Sequence, residues 1–234
     1  YMGSAQQTVT APAGSIVSSQ FSSADLVLPK TVTIGSAGAE DTKLVFDGNA
    51  QDYHIGLDDS EDKLTIGLGS TLGTTSHMVF DANGHITKPL QSAFLARTSS
   101  DTNNIAVNSA VTIVFDTEVF DQNADYNNSN GIFTAPVTGR YQINAMVYMG
   151  AVPNDANYFL IELVASNRSV QDIFRTQAGD DDWTYQSFQI NVLLDMDASD
   201  TAKINVYQPN GTQQADILGH STHAHTSFSG FLAC

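Results

Sequence analysis

The sequence predicts an all-β protein, and three observations carry that expectation. Val, Ile, Thr, Phe and Tyr recur throughout the 234 residues, while long Ala/Leu/Glu/Lys stretches are missing. Residues 141–148, Tyr-Gln-Ile-Asn-Ala-Met-Val-Tyr, read as a strand whose odd and even positions face opposite sides of a sheet. Similar runs follow, separated by turns rich in Asn, Asp and Gly. A chain of this length holds one large domain or two small ones, with a real core.

Taken in order, Tyr1-Met2-Gly3-Ser4 reads as an expression remnant. Residues 5–88 are punctuated by Gly and rich in Thr, Ser and Asp, with short apolar dyads rather than full strands. Ile-Gly recurs at Ile34-Gly35, Ile55-Gly56 and Ile66-Gly67, and the run from Leu44 to Asn49 is echoed from Met78 to Gly84. The copies are irregular, which argues against a solenoid. So few aromatics over about 84 residues bury too little surface in one chain. The expectation is a trimeric β-rich shaft or β-prism of short strands, with three chains sharing one axial core.

Lys88-Pro89 marks the junction, because Pro89 cannot donate to a sheet ladder and holds Lys88 extended. Residues 89–234 then form a head. Its strands are expected at 93–97, 131–136, 141–148, 158–165, 168–175, 185–194, 202–207 and 228–232, a number that fits a double-sheet jelly roll.

Within the head, Phe115, Asp121, Tyr126, Phe133, Gly139 and Tyr141 follow one another at intervals of six, five, seven, six and two residues. That spacing resembles the signature of the C1q and tumour necrosis factor superfamily. Ala93-Phe94-Leu95-Ala96-Arg97 and Phe228-Ser229-Gly230-Phe231-Leu232 are similar to its opening and closing strands. The resemblance implies a jelly-roll head assembled as a tight homotrimer. Ile143 and Ala145 stand where the pattern prefers aromatics, which predicts a thinner core and interface there. A looser resemblance joins Phe46-Asp47-Gly48-Asn49, Gly56-Leu57-Asp58-Asp59 and Leu64-Thr65-Ile66-Gly67 to segments of bacteriophage tail-fibre proteins. It implies a virion, or another extracellular surface, as the location.

Charge narrows the partners. The formal net charge is −16, so a trimer carries 3 × −16 = −48, and nucleic acid is excluded because phosphate binding needs clustered Lys and Arg. Cations and neutral glycans remain permitted, and solubility alone is the plainer reading. No run approaches the roughly 20 apolar residues that span a bilayer, so membrane insertion is not expected. Cys234 is the single cysteine, which rules out an intrachain disulfide and leaves an interprotomer link or an idle thiol.

Catalytic motifs are absent: no Gly-x-Ser-x-Gly elbow, phosphate loop, Gly-x-Gly-x-x-Gly or His-Glu-x-x-His occurs. The chain is expected not to be an enzyme and to need no organic cofactor. Asp180, Asp181 and Asp182 form either a solvated loop or a calcium site, which would need six to eight oxygens. The resemblance favours keeping calcium, since some heads of that superfamily bind it near the trimer apex.

The sharpest chemical feature is His220, His223 and His225, three of six histidines, placed just before the closing strand. If 222–230 is extended, His223 and His225 share one face while Ala224, Thr226 and Phe228 share the other. Phe228 then faces the core and the histidines face neighbouring protomers. Three His-x-His pairs about a threefold axis supply six imidazoles, enough for an octahedral Fe, Ni or Zn site. Ordinary interface histidines are the alternative.

The expected function is receptor binding for host-cell attachment by a homotrimeric fibre tip, with a viral tail fibre ahead of a bacterial surface adhesin. Candidate contacts with a cell-surface receptor, a glycan among the possibilities, are Asn154, Asp155, Asn157, Trp183, Asn210 and Gln213. Trp183 is the only tryptophan, suited either to stack on a sugar or to be buried. The alternative is a structural module that trimerises and caps a filament without a receptor of its own.

Overall fold

The computed structural model describes residues 30–176 and 181–234, so the expected remnant, the start of the shaft segment and Asp180 lie outside the described residues. The first unit is a five-stranded antiparallel meander in the order β1-β2-β3-β4-β5. Its strands are β1 (Thr42–Phe46), β2 (Tyr53–Asp58), β3 (Lys63–Leu68), β4 (Ser76–Phe80) and β5 (Ile86–Thr87). The first four run for five or six residues, longer than the apolar dyads, and β5 for two. Ile55 lies directly across from Ile66, so two of the Ile-Gly copies are cross-strand partners and not stacked repeats. Ile34 lies outside any strand.

The two faces of the meander differ in chemistry. Register places Leu44, Phe46, Tyr53, Ile55, Leu57, Leu64, Ile66, Leu68, Met78, Phe80 and Ile86 on one side. The other side carries His54, Gly56, Thr65 and Gly67, and the β3–β4 loop folds over it. Leu72 from that loop is buried; a Cβ on Gly56 would come within 2.8 Å of its side chain. Glycine is therefore required for the loop to close down.

Residues 93–233 hold a two-sheet sandwich. One sheet runs β14-β11-β17-β6-β8, with β6 (Ala93–Arg97), β8 (Thr117–Asp121), β11 (Gly139–Val152), β14 (Trp183–Met196) and β17 (Ser227–Leu232). The opposing sheet runs β13-β12-β15-β10-β9, with β9 (Tyr126–Asn127), β10 (Ile132–Thr134), β12 (Phe159–Ala165), β13 (Ser169–Phe174) and β15 (Thr201–Tyr207). Short strands β7 (Ala110–Thr112) and β16 (Asp216–Ile217) pair with β15 and β11. The opening strand is reproduced as expected, and β17 returns between β6 and β11 as a jelly roll demands.

The signature residues now have physical roles. Phe94, Phe115, Tyr126, Phe133, Tyr141 and Phe228 form one aromatic cluster, with ring centroids 4.9 to 5.9 Å apart. The Tyr126 hydroxyl donates to the Phe115 carbonyl at 3.1 Å, and its burial pushes the phenol well above its usual range. Asp121 caps the turn between β8 and β9 by accepting from the amides of Asp125 and Tyr126 at 3.2 and 2.9 Å. Gly139 must be small, because a Cβ there would lie 2.8 Å from the Cys234 carbonyl oxygen.

Ile143 and Ala145 are both buried, and Ile143 fills the space above Gly230, where a Cβ would sit 2.7 Å from its Cδ1. One strand expectation is corrected: β17 begins at Ser227, and residues 220–226 bend instead of extending. Hydrogen bonds from Arg97 and to the Thr98 carbonyl hold that segment off the ladder. Phe228 nevertheless faces the core.

Candidate functional site

The C-terminal end of β11 sets the location, because β14 starts there at Trp183 and β16 and β17 approach it from the other side. Connections 98–109, 153–158, 181–182 and 208–226 therefore gather at one end of the head, away from Ala93 and Cys234. Backbone groups of these loops need partners, and the side chains supply them.

Gln208 is the hub. It is fully buried; its Nε2 donates to the carbonyls of Asn210 at 3.1 Å and Gln213 at 2.6 Å, and its Oε1 accepts from the Ala215 amide at 3.0 Å. Asp155 reaches across from the β11–β12 loop and accepts from the Thr212 amide with both oxygens, at 3.1 and 3.0 Å. Asn210 returns the link, accepting from the Asn157 amide at 3.0 Å. The Asn154 amide donates to Asp182 Oδ1 at 2.8 Å, and Gln213 Nε2 donates to the Ala151 carbonyl at 3.2 Å. Asn154, Asp155, Asn157, Asn210 and Gln213 thus form one hydrogen-bonded surface with Asp182.

Trp183 takes a different part. It is half-buried, pairs with Val152 and packs against the sandwich core. The exposed aromatic at this end is Tyr185, 63 % accessible, stacked on Tyr148 with centroids 5.7 Å apart. Gln208 carries no motif at all, and only its burial reveals it.

The histidine segment borders the same surface. Arg97 donates to the carbonyls of His220 and Ser221, the His220 amide donates to the Thr98 carbonyl at 3.2 Å, and Gly219 donates to Asp101 at 2.8 Å. Thr226, fully buried, donates to the Leu218 carbonyl at 2.7 Å and accepts from the Tyr148 amide at 3.0 Å. So tethered, His220, His223 and His225 cluster within a single chain, with centroid separations of 4.4, 4.8 and 5.7 Å. His225 also meets the ring of Tyr148 edge-on at 5.6 Å.

His220 Nδ1 accepts from the amides of Thr222 and His223 at 3.1 and 3.2 Å. Burial, then the neighbouring His223 and His225 and Arg97, hold its pKa below the usual 6.5. Among the described residues no set of three or more His, Cys, Asp or Glu side chains is arranged to hold a metal within one chain. A metal at this triad would draw on more than one copy. For calcium, Asp182 is already engaged by Asn154, Asp181 is exposed, and Asp180 lies outside the described residues.

A hollow of about 830 Å³ lies elsewhere, on the meander, lined in part by Asp58, Glu61, Lys63, Asp81 and His85. Lys63 pairs there with Glu61 and His85 with Asp81, each at 2.8 Å, and Asp58 accepts from the Ser60 hydroxyl at 2.7 Å.

A family profile described as the C1q domain matches residues 93–233, more than half of the chain. The chain belongs to the C1q domain family. Among solved structures, the globular domain of the zebrafish complement 1qA protein is 16 % identical, covering 62 % of this chain and 98 % of its own, with a TM-score of 0.45. Murine APRIL at pH 5.0 is 13 % identical over 61 % of this chain and 98 % of its own, with a TM-score of 0.41. Eiger TNF from S. frugiperda is 12 % identical over 61 % and 90 %, with a TM-score of 0.44. A comparison with the curated proteins finds no match.

Proposed function

We propose that the chain is the tip unit of a homotrimeric fibre, attaching to a cell-surface receptor through the loop end of its head. The observation that carries this reading is the Gln208–Asp155–Asn210 network, which joins separate loops into one ordered polar surface. A surface already ordered binds without the full entropic cost of immobilising its loops. It presents amides and carboxylates, a set suited to the hydroxyl groups of a neutral glycan. The net charge of −16 disfavours an acidic receptor.

Membership of the C1q family supports the trimer, with the sheet containing β17 turned toward neighbouring copies. A shared Fe, Ni or Zn between the histidine segments of separate chains, and calcium at Asp181 and Asp182, belong to the same proposal. The looser shaft resemblance favours a virion tail fibre among extracellular locations.

The test is a glycan array together with whole-cell binding by the purified chain and by Asp155→Ala and Asn210→Ala variants. Binding by the parent that drops at least tenfold in both variants supports the reading. A trimer that binds neither glycan nor cells overturns it in favour of a capping module. Elemental analysis of the same trimer decides the metal.

A further inference from the structure

The meander leaves one sheet face bare while its own β3–β4 loop covers the middle of the other. Leu44, Phe46, Tyr53, Leu57, Leu64 and Ile86 on that face are 42 to 57 % exposed, although all are large and apolar. Register adds Ile55, Ile66, Leu68, Met78 and Phe80 between them, and no Asp, Glu, Lys or Arg falls on this side of the sheet. We infer that this face is the surface through which three copies of the chain pack about a common axis, so that each sheet is covered by the other two.

Area supports an occupant of that size. Phe46, Tyr53 and Phe80 are of the aromatic kind that buries roughly 150–250 Å² each, and with the aliphatic side chains around them they approach the ~800 Å² per partner that a stable interface needs. A monomer rarely leaves a patch beyond about 600 Å² open. Charge points the same way. A chain of net charge −16 repels its copies over most of its surface, and this uncharged face is where they can meet.

Continuity with the head supplies the third argument. Only residues 88–92 separate β5 from β6, and they are tied down. Gln122 Nε2 donates to the carbonyls of Lys88 and Gln91 at 3.0 and 2.7 Å, and Gln91 donates to the Leu232 carbonyl. The meander therefore starts from the β6–β17 sheet, the one the trimeric reading turns inward. The inference rests on that reading and extends it from the head to the shaft.

The experiment uses the full chain with Cys234→Ser, which removes the exposed native thiol, and Leu64→Cys, placed on the bare face. Light scattering gives the mass, and a short tris-maleimide, which can join three single-thiol chains, then probes proximity. A trimer of about 75 kDa, three times 25.0 kDa, should lose its single-chain band into bands of two and three chains. A trimer whose single-chain band survives the reagent overturns the packed face but leaves the trimeric head standing. A monomer overturns both. Leu57→Asp is the companion variant: it should make the meander bind a hydrophobic dye and become protease-sensitive while the head remains trimeric. A Leu57→Asp chain as protease-resistant as the parent also counts against the inference.

Discussion

Nδ1 of His220 and Nδ1 of His223 lie 2.9 Å apart, so one ring must hold the proton and the other a lone pair. His220 is the acceptor, since the amides of Thr222 and His223 also point at its Nδ1. Protonating it would break these bonds and place a cation beside Arg97.

The folded-state pKa of His220 therefore lies below 6.5, the unfolded value, and the sign follows. As pH falls through 6.5 the unfolded chain takes up the proton first, so stability falls from there down to the folded pKa and is constant above. The expected outcome is an imidazole NMR titration for His220 with a midpoint below 6.5, moving upward when His223 and His225 are both changed to Gln. A midpoint at or above 6.5 in the parent would refute the arrangement.

Gln208 predicts a coupled loss of stability and of loop order. Gln208→Leu keeps the volume but strands the carbonyls of Asn210 and Gln213 and the amide of Ala215. The expected destabilisation is about 2–4 kcal/mol in urea unfolding, because unsatisfied buried groups lose their full hydration. Amide exchange at residues 209–215 should accelerate as well, whereas Gln213→Ala, which removes one exposed side chain, should leave both nearly unchanged.

Phe228 tests the head core. It touches Phe94, Phe115 and Tyr126 at once, with centroids 5.0, 5.4 and 5.9 Å away. Phe228→Ala is expected to cost about 3–5 kcal/mol, the cavity lying where both sheets meet. Denaturant midpoints would measure it. Phe231, on the opposite face and 47 % exposed, should lose far less stability in the unassembled chain when replaced by Ala.

How far the sequence reveals this architecture depends on the range of the interactions. The head was legible because its signature residues act locally and through period two: Asp121 caps its own turn, and Phe115, Tyr126, Phe133 and Tyr141 point inward by alternation. The loops were legible as Asn- and Asp-rich punctuation, and Asn154, Asp155, Asn157, Asn210 and Gln213 do converge. Gln208 and Arg97 were not legible, since their partners are fixed only by the closed sandwich; Arg97 and His220 are 123 residues apart. The same long-range tethers explain why the histidine segment bends although its local pattern suits a strand.

Gly219 shows how tightly that segment is held. A Cβ built there would lie 2.2 Å from the Ser100 carbonyl oxygen and 2.4 Å from its carbonyl carbon, both backbone atoms that cannot swing aside. Gly219→Ala must therefore push the 98–101 and 218–222 strands of chain apart, weakening the Gly219–Asp101 and Arg97–His220 contacts together. The expected cost is about 1–3 kcal/mol, as for overpacking elsewhere, with chemical-shift changes reaching all three histidines. Gly84→Asn is the matched control: it sits at a positive φ of 88° with nothing within 4 Å, so its penalty is conformational and confined to the β4–β5 turn. If thermal melting and the histidine shifts respond equally to both changes, the close approach of Gly219 to Ser100 does not govern the segment.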